Sequence, residues 1–93
     1  MYTLTAKLSF RIPESSSLKD KRQVRRSLID KTRGKFNASV AEVGKTESHK
    51  ELEIGVAVVS GSLPHAEGAL DEIIRFMENT AKAEMIDVDV AQC

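Results

Sequence analysis

Lys19, Arg22, Arg26 and Arg33 recur at helical spacing within the stretch "LKDKRQVRRSLIDKTRGKF", residues 18–36. At 100° per residue the four fall within about 60° of one another, which draws one cationic stripe along a helix. Cations in line can meet successive phosphates of a nucleic acid, in contacts that ignore sequence and weaken with salt. Lys21 and Arg25 flank the stripe. The same pattern has an ordinary reading, that of a solvated or internally paired helix face. Arg26 and Asp30 are spaced i,i+4 and Asp30 and Arg33 i,i+3, so local pairing can neutralise part of the charge. Farther along, Glu67, Asp71, Glu72 and Glu78 outweigh Arg75 and Lys82, and a helix there can absorb more of it.

Other chemistries find little support. His49 and His65 fall on separate loops at opposite ends of one expected strand, so they are not expected to converge on a metal. The one cysteine, Cys93, excludes an internal disulfide and a cysteine-cluster metal site. "SGSLPH" holds only Gly61 and then Pro64, too few free N–H groups for a phosphate cradle. "RIPESSSLKDKR" has Arg11 and serines but no glycine, so it makes a poor phosphate loop. Ser15, Ser16 and Ser17 are potential phosphoryl acceptors, although serines before a helix are commonly caps. Glu42, charged inside a strand pattern, reads as an edge-strand guard. No nucleophile–base set has a supporting motif. Neither an enzyme nor a cofactor is expected.

The elements that carry these residues follow from periodicity. Leu4, Ala6, Leu8, Phe10 and Ile12 alternate with Thr3, Thr5, Lys7, Ser9 and Arg11, a strand with one buried face. Pro13 and the serines end it. Ser17 suits a helix N-cap, with Asp20 as its capping-box partner. Leu18, Val24, Leu28, Ile29, Thr32 and Phe36 share the inner side of that helix, and Gly34 is a natural stop. "FNASVAEV" is a second strand whose inner face the alternation leaves open. "GKTESHKE" is a polar hairpin loop. "LEIGVAVVS" is a third strand with Leu52, Ile54, Val56 and Val58 on one face. Ser62 and Pro64 open a second helix striped by Ala66, Ala69, Leu70, Ile73, Ile74 and Met77. "MIDVDV" closes the chain as a strand, with Ile86, Val88 and Val90 expected inward and Asp87 and Asp89 outward.

Strand, helix, strand, strand, helix, strand with right-handed crossovers specifies an α+β, ferredoxin-like βαββαβ domain over residues 1–93. Two helices then cover one face of a four-stranded antiparallel sheet. The far face, with Thr3, Thr5, Lys7, Ser9, Arg11, Glu53, Gly55, Ala57, Asp87 and Asp89, is small or polar and suited to water. Its third strand has no aromatic on which to stack a base, and Glu51 and Glu53 would repel phosphate. Any RNA is therefore expected on the helical side.

Composition bounds the rest. A length of 93 residues supports one small core. Net charge is zero, yet residues 18–36 hold eight Lys and Arg against two Asp, +6, which leaves −6 elsewhere. No apolar run approaches the roughly 20 residues of a membrane span. The chain opens on a strand pattern rather than a secretory signal, so a cytoplasmic location is expected.

"SLKDKR" (17–22), "FNASVAEV" (36–43) and "EIGVAVVS" (53–60) together resemble the YlxP-like family of small bacterial proteins. The resemblance runs from the first strand through the second helix. It implies a ferredoxin-like fold and supplies no catalytic residues. Family members are often encoded near translation and ribosome-assembly factors, which favours RNA-linked work. His49 stands where the family tends to carry Trp before the third strand. Arg25 and Thr32 replace commonly aliphatic positions and are expected to loosen the first helix. The function expected is a non-enzymatic module that binds RNA or a ribosome weakly through Lys19, Arg22, Arg26 and Arg33, with Lys21 and Arg25 at the margin. The alternative is a protein-interaction module or homodimer joined through strand edges.

Overall fold

The computed structural model describes residues 1–93. Its elements are β1 (Tyr2–Arg11), α1 (Leu18–Lys35), β2 (Ser39–Gly44), β3 (Glu51–Ser60), α2 (Leu63–Thr80) and β4 (Glu84–Gln92). The strands form one antiparallel sheet in the order β2-β3-β1-β4, the ferredoxin-like arrangement. Cross-strand pairs on β1 and β3 bring Ala6 to Val56, Leu8 to Ile54 and Phe10 to Leu52. These residues and Leu4, Val58, Leu28, Val40, Leu70, Ile73 and Met77 make one apolar core. Leu8, Phe10, Leu52 and Ile54 are fully excluded from solvent. Burial of one such side chain contributes about 1.5–3 kcal/mol, which explains why the two central strands carry the cleanest alternation.

β4 departs from simple alternation. Ser9 pairs with Asp87 but Phe10 pairs with Met85, so the register slips by one residue at Ile86. The bulge turns Met85 rather than Ile86 toward the core, and Ile86 is 45% exposed. Val90 keeps its register opposite Ala6 but is 53% exposed, because β4 is an edge strand that neither helix covers well. The expectation that Ile86, Val88 and Val90 face inward therefore fails at Ile86 and holds in direction for Val88, which is half-buried, and for Val90, which no helix covers.

Apolar area alone does not dock α1. Its three buried side chains are Lys21, Leu28 and Thr32. Thr32 Oγ1 donates to the Leu28 carbonyl at 2.7 Å, so the polar residue is satisfied and the helix continues to Lys35, one residue past Gly34. Val40 is buried on β2, which places Glu42 on the same inner face two residues on. Glu42 Oε1 accepts from Arg25 Nη1 at 3.1 Å, and its Oε2 lies 3.1 Å from Lys21 Nζ. That second contact is electrostatic, off the line of a hydrogen bond. Lys21 Nζ donates instead to the Lys45 carbonyl, presented by a left-handed residue at φ 57°. Glu42 does sit on an edge strand, but it points under α1 rather than out to guard the edge. Arg25 does not loosen the helix; it clamps it.

Two glycines on β2 and β3 are tested differently by an added methyl. A Cβ on Gly55 would lie 2.7 Å from Val43 Cγ1, so this branched side chain, which has a single rotatable angle, must shift to admit it. A Cβ on Gly44 would lie nearer still to Glu53 Oε1, but that is the end of a flexible chain. Gly55→Ala should destabilise by about 1–2 kcal/mol through overpacking, and Gly44→Ala should be nearly neutral, in parallel urea titrations. The Glu42 cluster makes a sharper prediction. Glu42→Gln strands buried Lys21 without a counter-charge and should cost about 3 kcal/mol, a fall in Tm of at least 10 °C for a chain this size. The double change Glu42→Leu with Lys21→Met should recover most of that loss, because it removes both charges together.

Candidate functional site

The eight cations of residues 19–35 have different fates. Lys21 is buried against Glu42 and the Lys45 carbonyl, so it leaves the margin of the surface where the sequence placed it. Arg25 is held by the same carboxylate, with its side chain 29% exposed. Lys35 Nζ rests 4.8 Å from the centre of the Phe76 ring and 5.6 Å from that of Phe36. Those two rings meet edge-on at 5.4 Å and join the end of α1 to α2. Arg33 Nη2 donates to the Val40 carbonyl at 2.6 Å, which draws its guanidinium toward β2 and away from the other three stripe residues.

Lys31 is exposed and unpaired but lies outside the stripe, and Lys19, Arg22 and Arg26 remain, all exposed. Together with Gln23 they line one shallow recess of about 290 Å³ on the outer side of α1. The three ion pairs in the molecule are Lys21–Glu42, Arg25–Glu42 and Lys45–Glu51, so none of these three cations has a carboxylate partner. Arg22 Nε makes only a long 3.5 Å contact to the Leu18 carbonyl, within its own helix. The local pairing of Asp30 with Arg26 and Arg33 does not form, nor does pairing between the two helices. Over seven residues at 1.5 Å rise, Lys19 and Arg26 are separated by about 10 Å along the axis. That span covers about three phosphate steps of one strand, at ~3.4 Å of axial rise each.

The start of α1 fixes the near end of the recess. The Ser17 hydroxyl accepts from the Asp20 N–H at 3.1 Å, as an N-cap does. The Asp20 carboxylate returns to Ser16 rather than Ser17, accepting from its backbone N–H at 3.0 Å and its hydroxyl at 2.9 Å. The Ser16 backbone N–H, more than any other group, holds the Asp20 carboxyl below its ordinary value. The Ser16 and Ser17 hydroxyls and the neighbouring Lys19 charge act in the same direction. Ser15 is buried and bonds the Ser17 carbonyl at 3.1 Å, so the serine run folds the loop rather than offering three free hydroxyls.

The remaining sequence candidates stay apart. His65 shares a 3.1 Å hydrogen bond with Ser60 at the start of α2, and His49 lies beyond the other end of β3. With ten residues of strand between them, the two imidazoles are separated by about 30 Å. The outer sheet face is a trough of about 400 Å³ walled by small residues such as Ala41, Gly55, Ala57 and Ala91. Lys7 and Asp89 stand side by side across it. The residue that sequence reasoning undervalued is Glu42. Lys21 and Arg25 are spaced i,i+4, one above the other on the helix, and a carboxylate on the facing strand is what such a pair brackets.

Comparison with known proteins speaks to the family and the fold. The chain is 30% identical over 73 residues to the uncharacterized protein YlxP of Bacillus subtilis (strain 168), covering 78% of this chain and 79% of that protein. Among solved structures it is similar to a protein described as a chlorite dismutase, with a TM-score of 0.51 and 17% identity, over 99% of this chain and 44% of the other. It is also similar to the designed protein Ferredog-Diesel, with a TM-score of 0.46 and 10% identity, over 96% of this chain and 83% of that one. At 17% identity the likeness to the first of these speaks to fold alone. One family model, described as a protein of unknown function (DUF503), matches residues 3–90. With that match from the first strand to the last, the chain belongs to the DUF503 family.

Proposed function

We propose that this chain is a non-enzymatic cytoplasmic module that binds RNA, free or on a ribosomal particle, through Lys19, Arg22 and Arg26. The observation that carries the reading is the recess on α1, where three exposed cations stand without carboxylate partners. With no carboxylate engaged, their charge is available to an anion from outside. Arg33 is a secondary contact: its guanidinium has given one N–H to Val40 and keeps others free. RNA suits the site better than a small anion because the cations are spread along about 10 Å of helix rather than converging on a point. The sheet face suits it poorly, since Glu53, Asp87 and Asp89 line its outer rows.

Filter binding of a single-stranded RNA at two salt concentrations tests the reading. Three phosphate contacts at ~0.7 each give a slope near −2 in log affinity against log salt, so affinity should fall roughly 20-fold between 50 and 200 mM. The triple variant Lys19→Glu, Arg22→Glu, Arg26→Glu should abolish retention while its helical circular dichroism is unchanged. Arg75→Glu on the exposed side of α2 should bind as the wild type does. Absence of retention at 50 mM salt, or equal binding by the triple variant, ends the proposal.

A further inference from the structure

The two edges of the sheet are treated differently. Both edge strands slip register, β2 between Glu42 and Gly44 and β4 at Ile86, but β2 is only six residues long and has one of its carbonyls, that of Val40, occupied by Arg33. It is a blocked edge. β4 is nine residues long and pairs only with β1. No turn, loop or side-chain hydrogen bond involves any residue from Glu84 to Gln92, so the backbone groups on its free side are open from Asp87 onward, beyond the bulge at Ile86. Proline and lysine, the usual edge guards, are absent from it. Instead it exposes Ile86 and Val90. Beside Val90 lies a recess of about 270 Å³ between α2 and β4, walled by Leu4 and Leu63 and rimmed by Glu67 and Asp71.

The charge around this edge selects its occupant. Asp87 and Asp89 lie on the outer face of β4, and Glu67 and Asp71 flank it on the helix side. A second copy of the chain is a poor match. Antiparallel self-pairing centred on Val88 sets each Asp87 opposite an Asp89. Moving the centre by one residue sets Asp87 against Asp87 or Asp89 against Asp89. Like charges directly opposite one another are destabilising. An extended strand with alternate basic and apolar residues fits instead: cations on the sheet's outer face meet Asp87 and Asp89, and apolar side chains on the helix side cover Val90 and Leu63.

We infer that the free edge of β4 is a docking site for an extended basic segment of a partner protein, added to the sheet as a fifth strand. The probe is a ten-residue peptide of alternating lysine and valine, followed by amide hydrogen exchange across the whole chain. Exchange should slow on alternate residues between Asp87 and Gln92, those not already bonded to β1. A peptide of alternating lysine and proline, equal in charge but unable to complete the ladder, should give no such protection. The double variant Asp87→Lys, Asp89→Lys should bind the lysine–valine peptide at least tenfold more weakly and gain β4 protection from a glutamate–valine peptide. The inference fails if β4 amides exchange alike with and without the lysine–valine peptide, or if the proline peptide protects them equally. It fails too if light scattering shows a dimer whose β4 amides are protected with no peptide present, which would make a second copy the occupant. RNA binding at α1 and peptide binding at β4 are read independently, so either can fail alone.

Discussion

The inward carboxylate of Glu42 decides how this small domain is arranged. It is one side chain on an edge strand, and it captures two of the eight cations that α1 carries. An apolar α1 would need a wide stripe to hold it on the sheet. This helix fully buries a single aliphatic side chain, Leu28, packs Val24 and Ile29 partly against the core, and is further fastened by Lys21 and Arg25 on Glu42, by Lys21 on the Lys45 carbonyl and by Arg33 on the Val40 carbonyl. Each contact ties α1 to β2 or to the turn that follows it. Polar fastening of this kind is directional. Sliding α1 by one residue would carry Lys21 and Arg25 about 100° around the axis and off the carboxylate, whereas an aliphatic stripe tolerates such shifts. The rotation that puts Lys21 and Arg25 inward is also the one that puts Lys19, Arg22 and Arg26 outward.

Those consequences explain which features could be read from the chain. β1 and β3 were legible because both are central, each is covered on one face, and alternation is then the whole signal. The start of α2 was legible because Ser62 and Pro64 act locally: the Ser62 hydroxyl accepts from the His65 N–H. The cationic stripe was legible as an angular set, since spacing alone fixes the direction of a helical residue. Its membership in the folded molecule was not. Arg33 obeys the same angle as Arg22, but its long side chain bends to a carbonyl on β2 that no helical wheel contains. Lys21 was misplaced for a related reason: a buried lysine is rare without a partner, and its partner lies 21 positions away in the sequence. Ile86 was misplaced because a bulge changes the phase of alternation without leaving a residue type that marks it.

The order of the strands gives the charge separation its geometry. α1 packs against β2, at one side of the sheet, and the carboxylates of β4 line the other. Three strand spacings of about 4.8 Å put these edges roughly 15 Å apart. In physiological salt, charges separated by more than about 8 Å are largely screened from one another. A ligand approaching α1 therefore meets Lys19, Arg22 and Arg26, and scarcely meets Asp87 and Asp89. The net charge of zero describes the chain at long range, where nothing binds. At the distance where a phosphate or a strand is recognised, the molecule is cationic on one side and anionic on the other.

The same separation creates a hazard, and the structure limits it. Opposite patches on one molecule can join copies head to tail, and a contact between unlike surfaces need not close into a ring. Here the two patches differ in form as well as in sign. The cations of α1 are side chains on a rigid helix whose backbone is already bonded, so they cannot supply a strand to the open edge of β4. Only Coulomb attraction is left between them, and exposed charges in salt give little of it, about 0–1 kcal/mol for a pair. The cations of α1 cannot imitate a ligand that completes the ladder at β4, nor can a strand edge imitate one that spans all three cations.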